Sequence, residues 1–274
     1  SDVCSSDLMA AAMSRNLDKL DEITKLMDEC QVLKIKTLGP DINESYIKFS
    51  VNHSGDIRFG MAGVKGVGRA AVMAILDERR ERGTFSSIYD LVERVNLQAC
   101  GKKNLENLAV AGAFDCFGLP REAYLAPVTA RGETFLDILI KYGTQYQEEQ
   151  SQATNSLFAD FGAIEIAKPV PPSEYTKWSQ IERLNRERDL IGIYISGHPL
   201  DDYRLIIENL CNFRAADIAD LSPFLGKDVI LGGIISTSKD ALSAKDTVTI
   251  GDLAEYEISP RLRNIADAIE VLLK

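Results

Sequence analysis

Histidine is nearly missing from this chain, with only His53 and His198 among 274 residues. The five cysteines (Cys4, Cys30, Cys100, Cys116 and Cys211) include no Cys-x-x-Cys pair and share no metal-ligand spacing with the histidines. These scarcities exclude a zinc-finger pattern and a disulfide framework. They predict reduced thiols in a cytoplasmic protein with no structural metal. No apolar run approaches the length that crosses a bilayer, and no secretory signal is visible, so no membrane partner is expected. Positive charge is also short: 31 lysines and arginines face 41 acids, for a net charge of −10. Bulk charge therefore cannot hold a nucleic acid here, and such binding would need a local basic patch.

Hydrophobic residues make up 45% of the chain, enough for two small cores or one large one. The most informative stretch is Val64-Lys65-Gly66-Val67-Gly68-Arg69, set between apolar residues 59–64 and 70–76. An apolar-x-Gly-apolar-Gly turn leading into Ala71 and Ile75 at helical spacing describes a helix-hairpin-helix. Glycines let the backbone turn sharply between helices. The amides at the start of the second helix then favour a phosphate, with Lys65 and Arg69 in reach of the strand. Residues 85–118 read as a second, degenerate pair of helices, with residues 98–103 in the place of the hairpin. Its basic candidates are Lys102 and Lys103.

Around these units, residues 1–8 fit no neighbouring element and read as a non-native leader. An amphipathic helix is expected over residues 9–30, and two short strands, 46–51 and 56–59, around the turn at residues 52–55. Residues 144–176, polar and then proline-rich, read as a linker holding an isolated apolar patch at Ser156, Leu157 and Phe158. A charged helix follows Trp178, with Glu182 and Arg186 as an i,i+4 pair. Residues 228–237, 247–250 and 255–258 are strand-like, and residues 261–274 have helical periodicity. Arg79 and Arg80 read as a solvated face beside Glu78 and Glu81, His53 as an exposed turn residue, and His198, with Asp201 and Asp202 near it, as part of a turn opening a helix.

Four segments, at residues 38–46, 59–68, 111–115 and 192–201, fall in one order that resembles the bacterial replicative DNA polymerase III alpha subunits, C-family polymerases. The resemblance runs from about residue 9 to about residue 236. It implies that the chain is a fragment: the end of the fingers over residues 9–58, a tandem helix-hairpin-helix domain over 59–143, the linker over 144–176, a helical connector over 177–222 and a partial OB-fold with a C-terminal helix over 223–274. The fold class implied is α+β, mainly α. The family's catalytic aspartates would lie upstream, so no catalytic or metal residue is assigned and no cofactor is expected in the fragment, although the full-length polymerase would use Mg²⁺.

The implied partners are duplex primer-template DNA, bound by residues Lys65, Gly66, Val67, Gly68, Arg69, Lys102 and Lys103, and other polymerase III holoenzyme subunits. A sliding clamp would dock at Ser156, Leu157 and Phe158, where the family carries a Gln-x-x-Leu-Phe-type peptide and this chain has threonine at the first position. Two other readings fit the residues: a stand-alone helix-hairpin-helix protein of the repair type, and a pure clamp-interaction module.

Overall fold

The computed structural model describes residues 2–17, 19–155, 166–213, 222, 226 and 228–232. They divide into one unit over residues 1–197 and another over residues 198–274.

The first unit opens with α1 (Asp2–Arg15) and α2 (Leu20–Val32). Two differences from expectation appear here. The segment read as a leader continues α1, and Ser6 is buried in it. The single helix expected over residues 9–30 is two, because the Asn16 side chain donates to the Ala12 carbonyl and the Lys19 amide turns back to the Asn16 carbonyl. Asparagine competes locally with the helix ladder, which ends α1 there. Met9, Ala10 and Met13 of α1 and Ile23 and Cys30 of α2 are buried.

A small sheet follows, in the order β1 (Thr37–Leu38), β3 (Ile57–Arg58), β2 (Ser50–Val51). β2 and β3 are the expected hairpin, antiparallel with Val51 opposite Ile57, while β1 joins β3 in parallel with Thr37 opposite Ile57. The turn is set by Asn52, whose Oδ1 accepts from the Ser54 and Asp56 amides, and by Gly55 at φ +83°. Phe49 and Phe59 meet edge to face at 4.8 Å and place the sheet on the core.

One 3₁₀ turn (Met61–Gly63) leads through the glycine hairpin into α3 (Arg69–Arg82), which Gly83 ends at φ +78°. Ser87 caps α4 (Ile88–Arg94) by accepting from the Asp90 amide, and Asn96 caps α5 (Leu97–Ala111) in the same way through the Ala99 amide. Gly112, left-handed at φ +94°, closes α5. α6 (Arg121–Leu125), α7 (Phe135–Asn155) and α8 (Gln180–Ile191) complete the unit. Ala71, Val72, Ile75, Leu91, Val92, Leu105, Leu108, Phe114 and Leu139 share one core.

The polar segment read as the first part of a linker is helical instead: α7 runs on through residue 155. Gln147 explains why, since its Nε2 donates to the carbonyls of both Val92 and Val95 at 2.8 Å, satisfying the end of α4. Downstream, the Pro169 carbonyl accepts from the Tyr89 hydroxyl and Lys168 pairs with Glu93. The proline-rich run is therefore strapped to α4 and not free. Trp178 precedes α8 and lies under the Arg186 guanidinium at 4.3 Å, while the expected Glu182–Arg186 pair forms at 2.8 Å.

In the second unit a 3₁₀ turn (Asp201–Tyr203) leads into α9 (Arg204–Leu210). Residues 228–232, expected to begin a strand, form none; the Asn212 side chain binds the Ile230 amide and the Asp228 carbonyl instead. The remaining expectations for the OB-like region, at residues 233–274, lie outside the described residues.

Arg121 is a buried charge of the first unit, 4% exposed. Its guanidinium donates to Asp115, to the Val110 carbonyl and to Glu187, which is 1% exposed. Glu187 also accepts from the Ile195 and Ser196 amides and from the Ser196 hydroxyl. Removing one partner would strand the other without water. Arg121→Met should therefore lower unfolding free energy by about 3–5 kcal/mol, read by urea denaturation, and Glu187→Gln, which keeps an acceptor, should cost less.

A second, half-buried cluster predicts a pH dependence. Burial pushes the Glu78 and Asp90 carboxyls up. Hydrogen bonds from Arg82 and Arg94 to Glu78, and from Ser86 and Arg94 to Asp90, outweigh it and hold both below their ordinary 4.5 and 3.8. A depressed carboxyl contributes stability above its unfolded value and loses it as pH falls through the folded one. Melting temperature measured from pH 6 to pH 3 should fall below about pH 4.5, and less steeply in Arg94→Met.

Candidate nucleic-acid interface

The glycine hairpin is pinned by its apolar residues. Val64 and Val67 are buried, whereas Lys65, Gly66, Gly68 and Arg69 are exposed. Gly66 is left-handed at φ +76°, and a Cβ there would stand 2.5 Å from the Asn107 Nδ2. It is glycine for both reasons. Gly68 differs. Its φ is −75°, and a Cβ would meet only Asn104 Oδ1 at an ordinary 3.6 Å.

The hairpin amides are mostly spoken for, contrary to the expectation that they stay open for a phosphate. Lys65 N–H donates to the Leu190 carbonyl at 2.8 Å, Val67 N–H to Val64 and Gly68 N–H to Asn104 Oδ1 at 2.7 Å. A turn wedged between two helices must satisfy its donors internally. What remains for an anion is the first turn of α3 behind Gly68, whose amides have no partner within the helix. Arg69 and Ala70 are exposed there.

The second pair of helices carries its own hairpin, inside α5. Gly101, at φ 61° and ψ 151°, breaks the helix between a single turn at residues 97–100 and the main segment from residue 102. This coincides with the 98–103 stretch expected to stand in for a hairpin. The two hairpins meet. Asn104 reaches Gly68, and the buried Asn107 donates to the Lys65 carbonyl at 3.0 Å. Sequence reading missed both asparagines. The available signal was two poor helix formers three residues apart, on one face of a helix that otherwise reads well.

The basic residues divide in two. Among the described residues neither Lys65 nor Arg69 has an ion-pair partner. Lys102 pairs with Asp137 at 2.7 Å, a hydrogen bond that holds its ammonium above the ordinary lysine range, and Lys103 lies 3.5 Å from Glu106. Both lysines are well exposed, and such pairs are worth little in water. Arg79, expected on a solvated face, is half-buried, donates to the Ile42 carbonyl and lies over the Tyr46 ring. It is structural, because the sheet segment folds back over α3 at that point.

Among the described residues no three His, Cys, Asp or Glu side chains gather to hold a metal ion. The described residues therefore offer no ligand set for a metal ion. The His198 Nδ1 accepts from the Leu200 amide, and its own amide donates to Asp201; burial holds its imidazole below the ordinary range. His53 is exposed in its turn. Burial pushes the Cys100 thiol up to about 12, so it is not a nucleophile at neutral pH, and Cys116 is exposed. Ser156, Leu157 and Phe158 lie outside the described residues. No described helix is long and apolar enough to cross a membrane.

A family profile described as "Helix-hairpin-helix motif" matches residues 34–124, from the small sheet through both hairpins to α6. The DNA polymerase III subunit alpha of Treponema pallidum is 36% identical over 74% of this chain and 16% of its own length. That of Xylella fastidiosa is 34% identical over 75% of this chain and 16% of its own. That of Pasteurella multocida is 30% identical over 88% of this chain and 20% of its own. The chain thus spans about a fifth of the length of the curated relatives it matches. With both helix-hairpin-helix units in place and most of its length aligned, the chain belongs to the family of DNA polymerase III alpha subunits, as the counterpart of one segment of them.

Proposed function

We propose that this chain binds duplex DNA through backbone phosphates, as the duplex-holding segment of a replicative DNA polymerase. The observation that carries this reading is the pairing of two glycine hairpins through Asn104, with Lys65 and Arg69 exposed beside them and without carboxylate partners among the described residues. Such an arrangement contacts phosphates and reads no bases, so it holds any sequence alike. The chain's net charge of −10 makes the contact a local one, strong only at low salt.

The polymerase activity itself, DNA-directed addition of nucleotides with Mg²⁺, is proposed for the whole protein from the relatives' names. Its chemistry belongs to parts that this chain does not align with. Assembly with other holoenzyme subunits in the cytoplasm follows from the same reading. Docking of a sliding clamp at Ser156, Leu157 and Phe158 is the narrower proposal, supported by the Leu-Phe pair in a polar surround.

Fluorescence anisotropy of a labelled primer-template duplex, titrated at several salt concentrations, tests the reading. Affinity should be independent of sequence and fall steeply with salt. Lys65→Ala and Arg69→Ala should each reduce the slope of log K against log salt by about 0.9. Unchanged slopes in both would sink the assignment. Gly66→Ala should weaken binding and lower stability by about 1–3 kcal/mol, whereas Gly68→Ala should leave the fold intact.

A further inference from the structure

The Asn104 carboxamide lies between the glycines of the two hairpins. Its Oδ1 accepts from the Gly68 amide at 2.7 Å. Because that donor is a backbone N–H, the orientation of the carboxamide is fixed, and Nδ2 points the other way. There it lies over Gly101, where a built Cβ would stand 3.6 Å from it. One short side chain therefore spans from the turn of one hairpin to the turn of the other. The chain neighbours of these contacts are the basic residues: Arg69 follows Gly68, while Lys102 and Lys103 separate Gly101 from Asn104.

We infer that Asn104 is a positioning residue for nucleic acid: it locks the second hairpin to the first, so that Lys102 and Lys103 face the same phosphate backbone as Lys65 and Arg69. The inference rests on the function proposed above and adds what makes two weak cation pairs act as one surface. Asn107 braces the same turn from below, at the Lys65 carbonyl. It is buried, however, and its loss would unsettle the core, whereas Asn104 is half-exposed at the rim. Lys102 and Lys103 are held only by exposed pairs to Asp137 and Glu106, which a phosphate can replace at small cost. Their reach toward the strand is set by where the α5 turn is held, and Asn104 holds it.

The test is a coupling measurement on the full chain with the same labelled primer-template duplex. Lys103→Ala in the unsubstituted background should weaken binding and reduce the salt slope by about 0.9. Asn104→Ala should weaken binding about tenfold at low salt and reduce the slope by about 1–2, the share of Lys102 and Lys103. In the Asn104→Ala background, adding Lys103→Ala should change almost nothing, because that lysine is already out of register. Asn104→Asp keeps an oxygen to accept from Gly68 and so should keep the dependence on Lys103, even though its extra negative charge weakens binding. That rescue separates positioning from a general loss of fold, and the melting temperature of each variant is recorded alongside.

An equal effect of Lys103→Ala in both backgrounds overturns the inference while leaving duplex binding standing. So does a wild-type slope in Asn104→Ala, or loss of the Lys103 effect in Asn104→Asp. No binding by the unsubstituted chain at low salt overturns the proposed function and this inference with it.

Discussion

The Arg121 guanidinium fixes where α8 lies, and through α8 it fixes the hairpin. It is anchored to Asp115 and to the Val110 carbonyl at the end of α5, and it reaches Glu187 on α8 at 2.8 Å. Glu187 in turn gathers the Ile195 and Ser196 amides. Its carboxylate is buried where only full hydrogen bonding makes a charge tolerable. One turn further along α8, the Leu190 carbonyl accepts the Lys65 amide. A chain of polar contacts thus runs from the buried arginine to the glycine turn. Gly112 belongs to it as well, since a Cβ there would collide with the Arg121 guanidinium.

This arrangement separates two jobs that sequence reading merged. The glycine turn is a structural corner whose amides satisfy α8 and α5. The surface it presents for an anion is the first turn of α3 and the side chains of Lys65 and Arg69. Burying backbone donors in protein contacts keeps the corner rigid without water. A rigid corner is what gives a short basic side chain a fixed starting point. The hairpin therefore contributes geometry more than it contributes donors.

Much of the fold was legible because its punctuation is local. Asn52 and Gly55 set the expected turn at residues 52–55, and Glu182 pairs with Arg186 one turn on. Each depends on residues within four positions. What escaped depends on partners far away in the chain. Residues 144–155 look like linker because their reason to be helical is Gln147 binding carbonyls more than fifty residues earlier. Arg79 looks solvated because its carbonyl partner, Ile42, is 37 residues upstream. At the site, the cations and Gly66 were visible from the turn motif, whereas Asn104 and Asn107 were not, since an asparagine in a helix announces no partner by itself. Asn16, by contrast, ended α1 through a contact only four residues back, and it was missed because the apolar periodicity runs smoothly across it.

The acidity of the chain and its proposed ligand are reconciled by how its cations are used. Among the described residues, several arginines are paired with carboxylates: Arg58 with Glu44, Arg82 and Arg94 with Glu78, Arg121 with Asp115 and Glu187, Arg186 with Glu182. Each such pair removes a positive charge from the field at the surface. Lys65 and Arg69, which flank the glycine turn, have no such partner among the described residues, and Lys102 and Lys103 beside Gly101 have exposed, exchangeable ones. With so few cations in play, electrostatic attraction alone gives a weak contact, and spreading them over a flexible surface would weaken it further through the entropy of ordering them. Holding them on two corners tied by hydrogen bonds removes that cost before the ligand arrives. In an acidic chain, preorganisation must supply what charge density does not.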